Sequence, residues 1–149
     1  MLIYLDICCF NRPFDDQSDL LVRLQTEAKL YVQEMIRCGS LSLIWSSVME
    51  LENAANPDMN RKLAVGEWKK IGFVDVPVSR RVEDIAGTLA RIGVKPMDAL
   101  HAACAMEAEA EYFLTTDKAL LRKMAKYDHL RVVDPVDFIR VLKETQNED

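Results

Sequence analysis

The chain has 149 residues, 50% of them apolar and 29% charged, with 24 acids against 19 bases and a net charge of −5. That length suits one domain with a full core, needing neither disulfides nor structural metal to compensate for small size. Few Gly and Pro, and abundant Leu, Ile and Val, exclude collagen-like, mucin-like and wholly disordered chains. No apolar run approaches the roughly 20 residues that a membrane span needs. The opening MLIYLDICCF has no basic stretch and meets Asp6 too early for a secretory signal. A soluble, cytoplasmic domain without a membrane partner is expected. The acidic balance speaks against a protein that coats nucleic acid, but not against an enzyme that grips a phosphodiester through a bound cation.

Leu2 to Leu5 form a short apolar run ending in Asp6, the pattern of a buried strand. Residues 7 to 18, with their Asn, Pro and Asp, read as a loop. Leu21, Leu24, Ala28, Tyr31 and Met35 recur at spacings of three and four and predict an amphipathic helix, closed by Gly39. Leu41 to Trp45 read as a strand, after which Ser46 or Ser47 can cap a helix carrying Val48, Glu50 and Glu52. Asn56-Pro57 interrupts that helix. A helix over Asn60 to Lys70 and a strand over Phe73 to Val76 follow. Val82, Ile85, Ala86 and Leu89 predict a further helix closed by Gly93, and Pro96 opens the next, rich in alanine. Tyr112 to Thr115 read as a strand, Asp117 to Lys126 as a helix and Leu130 to Val133 as a last strand before Asp134-Pro135.

Alternating strands and helices predict an α/β sandwich around a mainly parallel sheet. With no repeat or linker, one unit is expected over residues 1–142, followed by a frayed polar tail, KETQNED, at 143–149. Cys8, Cys9, Cys38 and Cys104 match no CxxC spacing, and Cys8 and Cys9 are adjacent. They read as small core residues in preference to a zinc set with His101.

Parallel sheets place ligand chemistry beyond the carboxyl ends of their strands. Asp6 ends the first strand, Asp117 follows the Tyr112 strand, Glu52 lies just after the Leu41 strand, and Asp98 sits in the first turn of the Pro96 helix. Each alone has a plain explanation as a cap, a helix-dipole partner or a solvated side chain. Together they would share one edge. Like charges about 5 Å apart repel by about 3 kcal/mol at an effective dielectric near 20. Such a cluster must hold protons or a cation, and an all-carboxylate set suits Mg²⁺ or Mn²⁺. Ions of this kind serve phosphodiester hydrolysis.

The blocks IYLDICCFN, WSSVMELEN, KPMDALHAACA and YFLTTDKALL occur in an order that resembles PIN-domain proteins of the VapC ribonuclease-toxin type. The resemblance covers residue 3 to about 126. It implies a three-layer α/β/α sandwich and an acidic pocket holding Mg²⁺ or Mn²⁺. It also implies hydrolysis of single-stranded RNA, leaving a 5′-phosphate. Asp6, Glu52, Asp98 and Asp117 match the family's acidic residues, as both catalytic groups and metal ligands. Glu50 is the second candidate for the Glu place. Relatives often carry Ser or Thr just after the first Asp, where this chain has Ile7, Cys8 and Cys9; Asn11 is the expected substitute support. Thr115 and Thr116 keep a hydroxyl near the last Asp. Lys118, Arg122 and Lys126 follow at helical spacing and are candidates for RNA phosphates. His101 reads as a residue supporting Asp98. An antitoxin protein and a homodimer are the implied partners. The alternatives are a non-catalytic PIN-like module that binds RNA or protein, and a phosphoacceptor domain, for which Cys8 stands where an Asp-x-Asp motif needs an acid.

Overall fold

The computed structural model describes residues 1–147. In chain order it contains β1 (Leu2–Leu5), α1 (Ile7–Asn11), a 3-10 turn (Arg12–Phe14), α2 (Leu20–Arg37), β2 (Ser42–Ser46), α3 (Ser47–Ala54), α4 (Met59–Gly66), a second 3-10 turn (Glu67–Ile71) and β3 (Val74–Val76). Then come α5 (Arg80–Arg91), α6 (Pro96–Glu107), β4 (Tyr112–Leu114), α7 (Lys118–Met124), β5 (Val132–Val133) and α8 (Pro135–Asn147). The five strands form one sheet in the order β3-β2-β1-β4-β5, every pair parallel.

Side chains of successive strand residues point to opposite faces. Ile3, Tyr4 and Leu5 are each wholly buried, as are Phe113 and Leu114, so both faces of the sheet centre are covered by helices. The result is the expected three-layer α/β/α sandwich. Tyr4 and Phe113, paired across β1 and β4, stack with ring centroids 5.2 Å apart. No helix among the described residues is long and apolar enough to cross a membrane.

Most strand and helix ends fall within one or two residues of those expected from sequence. The stretch expected as helix from Asn60 to Lys70 divides into α4 and the second 3-10 turn. Gly39 and Gly93 end α2 and α5 with φ of +86° and +96°, the left-handed geometry that glycine adopts without strain. A Cβ at Gly39 would meet nothing within 4 Å, so Gly39→Ala is expected to cost only the backbone term, about 1 kcal/mol in urea unfolding.

Three expectations are corrected. Residues 7 to 14 are not a loop: Asp6 caps α1 through the Ile7 N–H, and α1 then buries Cys9 and Phe10. Phe10 packs 6.2 Å from both Trp45 and Trp68, an apolar anchor that the surrounding polar residues conceal in the sequence. The second correction concerns the face of α2. Its Leu21, Leu24 and Tyr31 are exposed, whereas Gln25, Thr26, Lys29 and Gln33 are buried beside Val32 and Ile36. Gln25 explains part of this inversion: it accepts from Arg12 Nε at 2.9 Å and donates to Asp134 Oδ2 at 2.6 Å. Thirdly, the chain after Asp134 is helical. Asp134 Oδ1 accepts the Val136 N–H at 2.8 Å, Phe138 and Leu142 are buried, and α8 packs on α2. Lys143–Asn147 continue this helix where a frayed tail was expected; Glu148 and Asp149 lie outside the described residues.

Candidate metal centre

The sheet order changes direction at β1, which is followed by β2 on one side and flanked by β4 on the other. Ligand sites of parallel sheets form at such a crevice. The register Leu5↔Leu114 brings the residues just beyond β1 and β4 side by side, and the Asp6 N–H donates to the Leu114 carbonyl at 2.9 Å.

Asp6 is 5% exposed and heavily bonded. Its Oδ1 accepts from the Ile7 N–H at 2.8 Å, and its Oδ2 accepts from the Thr115 hydroxyl at 2.9 Å and from the Cys8 thiol at 3.5 Å. Thr115 Oγ1 itself accepts the Asp117 N–H at 3.1 Å, which directs its single proton toward Asp6. The Cys8 sulfur also takes the Thr116 N–H at 3.3 Å, so Thr116 enters through its backbone. Support for Asp6 therefore comes from Thr115 and Cys8. Asn11, expected as the substitute, instead faces Asn56 at 3.4 Å.

Glu52 and Glu50 part company on α3. Ser46 caps this helix, its hydroxyl oxygen accepting the Met49 N–H at 3.0 Å. Half-buried Glu52 then places Oε1 3.4 Å from His101 Nε2. Glu50 is exposed and paired with Lys69 Nζ at 2.9 and 3.0 Å, away from the other acids. Asp117 caps α7, its Oδ1 accepting from Ala119 N at 2.9 Å and Leu120 N at 3.2 Å. Lys118, Arg122 and Lys126 stand exposed at or just beyond this helix.

Asp98, half-buried in the first turn of α6, is pushed above the usual carboxylate range. Burial is the largest cause, the charges of Asp6 and Asp117 add to it, His101 opposes, and Glu52 adds a little. Asp6 is raised as well, first by burial, with His101 and Thr115 opposing and Glu52 adding. These mutual effects place the four carboxylates in one electrostatic neighbourhood. Among the described residues no Lys or Arg forms an ion pair with any of them, and His101 is their single basic contact. A set of oxygen donors without a compensating side-chain cation fits a hard divalent ion.

The tightest group differs from the acids nominated by sequence. One ligand atom each from Asp6, Glu52 and His101 lie within 4.8 Å of one another. His101 was read as a prop for Asp98; it is instead wholly buried, bonded through Nδ1 to the Tyr4 hydroxyl and turned through Nε2 toward Glu52. The available signal was its place one helical turn after Asp98, on the same face. Among the described residues the cysteines lie outside the Asp6, Glu52 and His101 group. Burial pushes Cys9 upward and Cys104 to about 11, and Cys9 donates to the Leu114 carbonyl at 3.4 Å.

Comparison with known proteins bears on the family and the fold. A family model for the PIN domain matches residues 3–127. No curated protein matches by sequence. Similar solved structures include FitAcB from Neisseria gonorrhoeae, with a TM-score of 0.57 and 15% identity over 89% of this chain and 97% of that one. VapBC2 from Rickettsia felis, bound to a DNA fragment from the promoter, gives 0.55 and 11% over 89% and 97%. DNA-bound VapBC from Salmonella typhimurium gives 0.53 and 20% over 91% and 99%. At these identities the likeness is one of fold, whereas the family match spans most of the chain. The chain belongs to the PIN domain family.

Proposed function

We propose that this protein is a metal-dependent endoribonuclease that hydrolyses single-stranded RNA, acting as the toxin of a toxin–antitoxin pair. The observation that carries the reading is the grouping of Asp6, Glu52 and His101, with ligand atoms within 4.8 Å of one another, and no Lys or Arg ion-paired with Asp6, Glu52, Asp98 or Asp117 among the described residues. Asp6, Glu52, Asp98 and Asp117 would hold Mg²⁺ or Mn²⁺. When bound, such an ion polarises the phosphodiester and lowers the pKa of an attacking water.

The chain's own residues prepare this site. Thr115, Cys8 and the Ile7 N–H fix the Asp6 carboxylate, so little reorganisation is needed on binding. Asp117 is held by its own cap. Lys118 and Arg122, exposed beside it, are placed to receive phosphates flanking the scissile bond. The VapBC complexes of similar fold support an antitoxin-type protein as partner, and the same reading carries a homodimer and a cytoplasmic setting. The non-catalytic alternative drew on the departure at Cys8, and the thiol hydrogen bond to Asp6 removes much of that argument.

The test is cleavage of an unstructured RNA by purified protein with Mn²⁺, Mg²⁺ or a chelator. Cleavage is expected only with metal, and Asp98→Asn should lower it on the order of 100-fold or more. Glu52→Gln should resemble Asp98→Asn, whereas Glu50→Gln should stay within about twofold of wild type, because its charge meets an exposed lysine and is worth little. Intact RNA under every metal condition would favour the binding module.

A further inference from the structure

The carboxylates alone do not account for the orientation of His101. Its ring is wholly buried on α6, with Nδ1 2.5 Å from the Tyr4 hydroxyl. Tyr4 in turn lies 2.7 Å from Ser46 Oγ, which also accepts the Met49 N–H at 3.0 Å. Two proton arrangements satisfy these distances, and only the following one frees Nε2 to serve as a ligand. His101 Nδ1–H donates to Tyr4, Tyr4 donates to Ser46, and Nε2 is left with a free lone pair.

Among the described residues that Nε2 has no hydrogen-bond partner although it is buried, an unusual state for a polar atom in a core. Glu52 Oε1, at 3.4 Å, is beyond ordinary hydrogen-bond length. The spacing suits a different relation. Bonds of about 2.1 Å to one octahedral ion put adjacent ligand atoms about 3 Å apart and opposite ones about 4 Å apart. The 3.4 Å between Glu52 Oε1 and His101 Nε2 is close to the spacing of adjacent ligands, and donor atoms of Asp6, Glu52 and His101 all lie within 4.8 Å of each other, so an ion would draw them slightly inward.

We propose that His101 Nε2 is a nitrogen ligand to a divalent ion held with Asp6 and Glu52, so that this corner of the site selects Mn²⁺ and later transition ions over Mg²⁺. The inference rests on the acidic cluster being a metal centre and adds a donor of another kind to it. Imidazole nitrogen binds first-row transition ions well and Mg²⁺ poorly, whereas carboxylates alone discriminate little. The hydrogen bond to Tyr4 fixes the ring, as partners behind metal-bound histidines do.

The test uses full-length protein without a histidine tag, loaded with one equivalent of Mn²⁺ and examined by pulsed electron paramagnetic resonance. Directly bonded nitrogen is expected in the wild-type spectrum and in His129→Gln, and is expected to vanish in His101→Phe. Competition should show a Mn²⁺-over-Mg²⁺ preference that falls about tenfold or more in His101→Phe. If that variant does not fold, the wild-type and His129→Gln spectra still decide. Bound Mn²⁺ with no nitrogen coupling, or coupling that survives His101→Phe, would overturn the assignment and leave the nuclease reading standing. Failure to bind Mn²⁺ at all would remove both.

Discussion

Asp6→Asn is expected to reduce metal-dependent RNA cleavage on the order of 10³-fold while making the metal-free protein at least as stable as wild type. Both effects come from the same buried charge. Asp6 is 5% exposed, and burial, only partly opposed by His101 and Thr115, raises its pKa. A carboxylate raised in the folded state costs nothing below its unfolded pKa. Its ionisation then erodes stability as pH climbs through the carboxylate range toward the folded value. At neutral pH the metal-free fold therefore carries that cost, and Asn removes it. Asn retains an oxygen for the Ile7 N–H, and the Thr115 hydroxyl can rotate to accept from the amide. In Mn²⁺ the order should reverse, because only the wild type gains stability by mass action. Single-turnover cleavage and thermal melting with and without Mn²⁺ check the pair. Undiminished cleavage would show that Asp6 is not part of the machinery.

Lys29→Met is expected to stabilise the protein by about 2 kcal/mol at pH 7 and to change how stability responds to alkali. Lys29 lies on α2 with 4% of its surface exposed, and burial, the dominant cause, lowers its pKa from 10.5 to about 8. Among the described residues it has no carboxylate partner; its ammonium sits 5.5 Å from the centre of the Phe10 ring. A lysine depressed in the folded state binds its proton more tightly when unfolded. The penalty is full below the folded value, shrinks as pH rises from about 8 toward 10.5, and disappears above that. Such a shift corresponds to about 3 kcal/mol, and the lost contact with Phe10 offsets about 1 kcal/mol of the gain. A neighbouring cavity of about 180 Å³, lined in part by Phe10, Phe14 and Trp68, leaves room for the thioether to settle. Urea unfolding at pH 7 and pH 10 measures the difference. Equal destabilisation at both would show that Lys29 serves the fold through the packing of its stem and not through its charge.

Elements whose burial follows a simple period were legible in the sequence. The strand residues of β1, β2 and β4 are apolar because both sheet faces are covered, and α5 shows its apolar stripe at Val82, Ala86 and Leu89. Asp6, Asp98 and Asp117 lie just past a strand or at a helix start, as their positions in the sequence suggest, whereas Glu52 sits well into α3. What escaped was set by partners distant in the chain. Buried Gln25 and Lys29 of α2 are met by Arg12, Asp134 and Phe10, and no local pattern announces that. Asp134-Pro135 reads equally as the end of a strand or the cap of a helix, and only burial of Phe138 and Leu142 against the sandwich decides. His101 was visible, but its role depends on Tyr4 and Glu52, which come from two other elements.

The side-by-side placement of β1 and β4 has a consequence for synthesis. Asp6 and its supporting Thr115 are 109 positions apart and meet only after the intervening segments have crossed over the sheet. A nascent chain on the ribosome has no complete cation cage until Asp117 has been translated and β4 has docked against β1. On the proposed nuclease reading, truncated products and early degradation fragments would lack this contact between β1 and β4, and activity would belong to finished molecules alone.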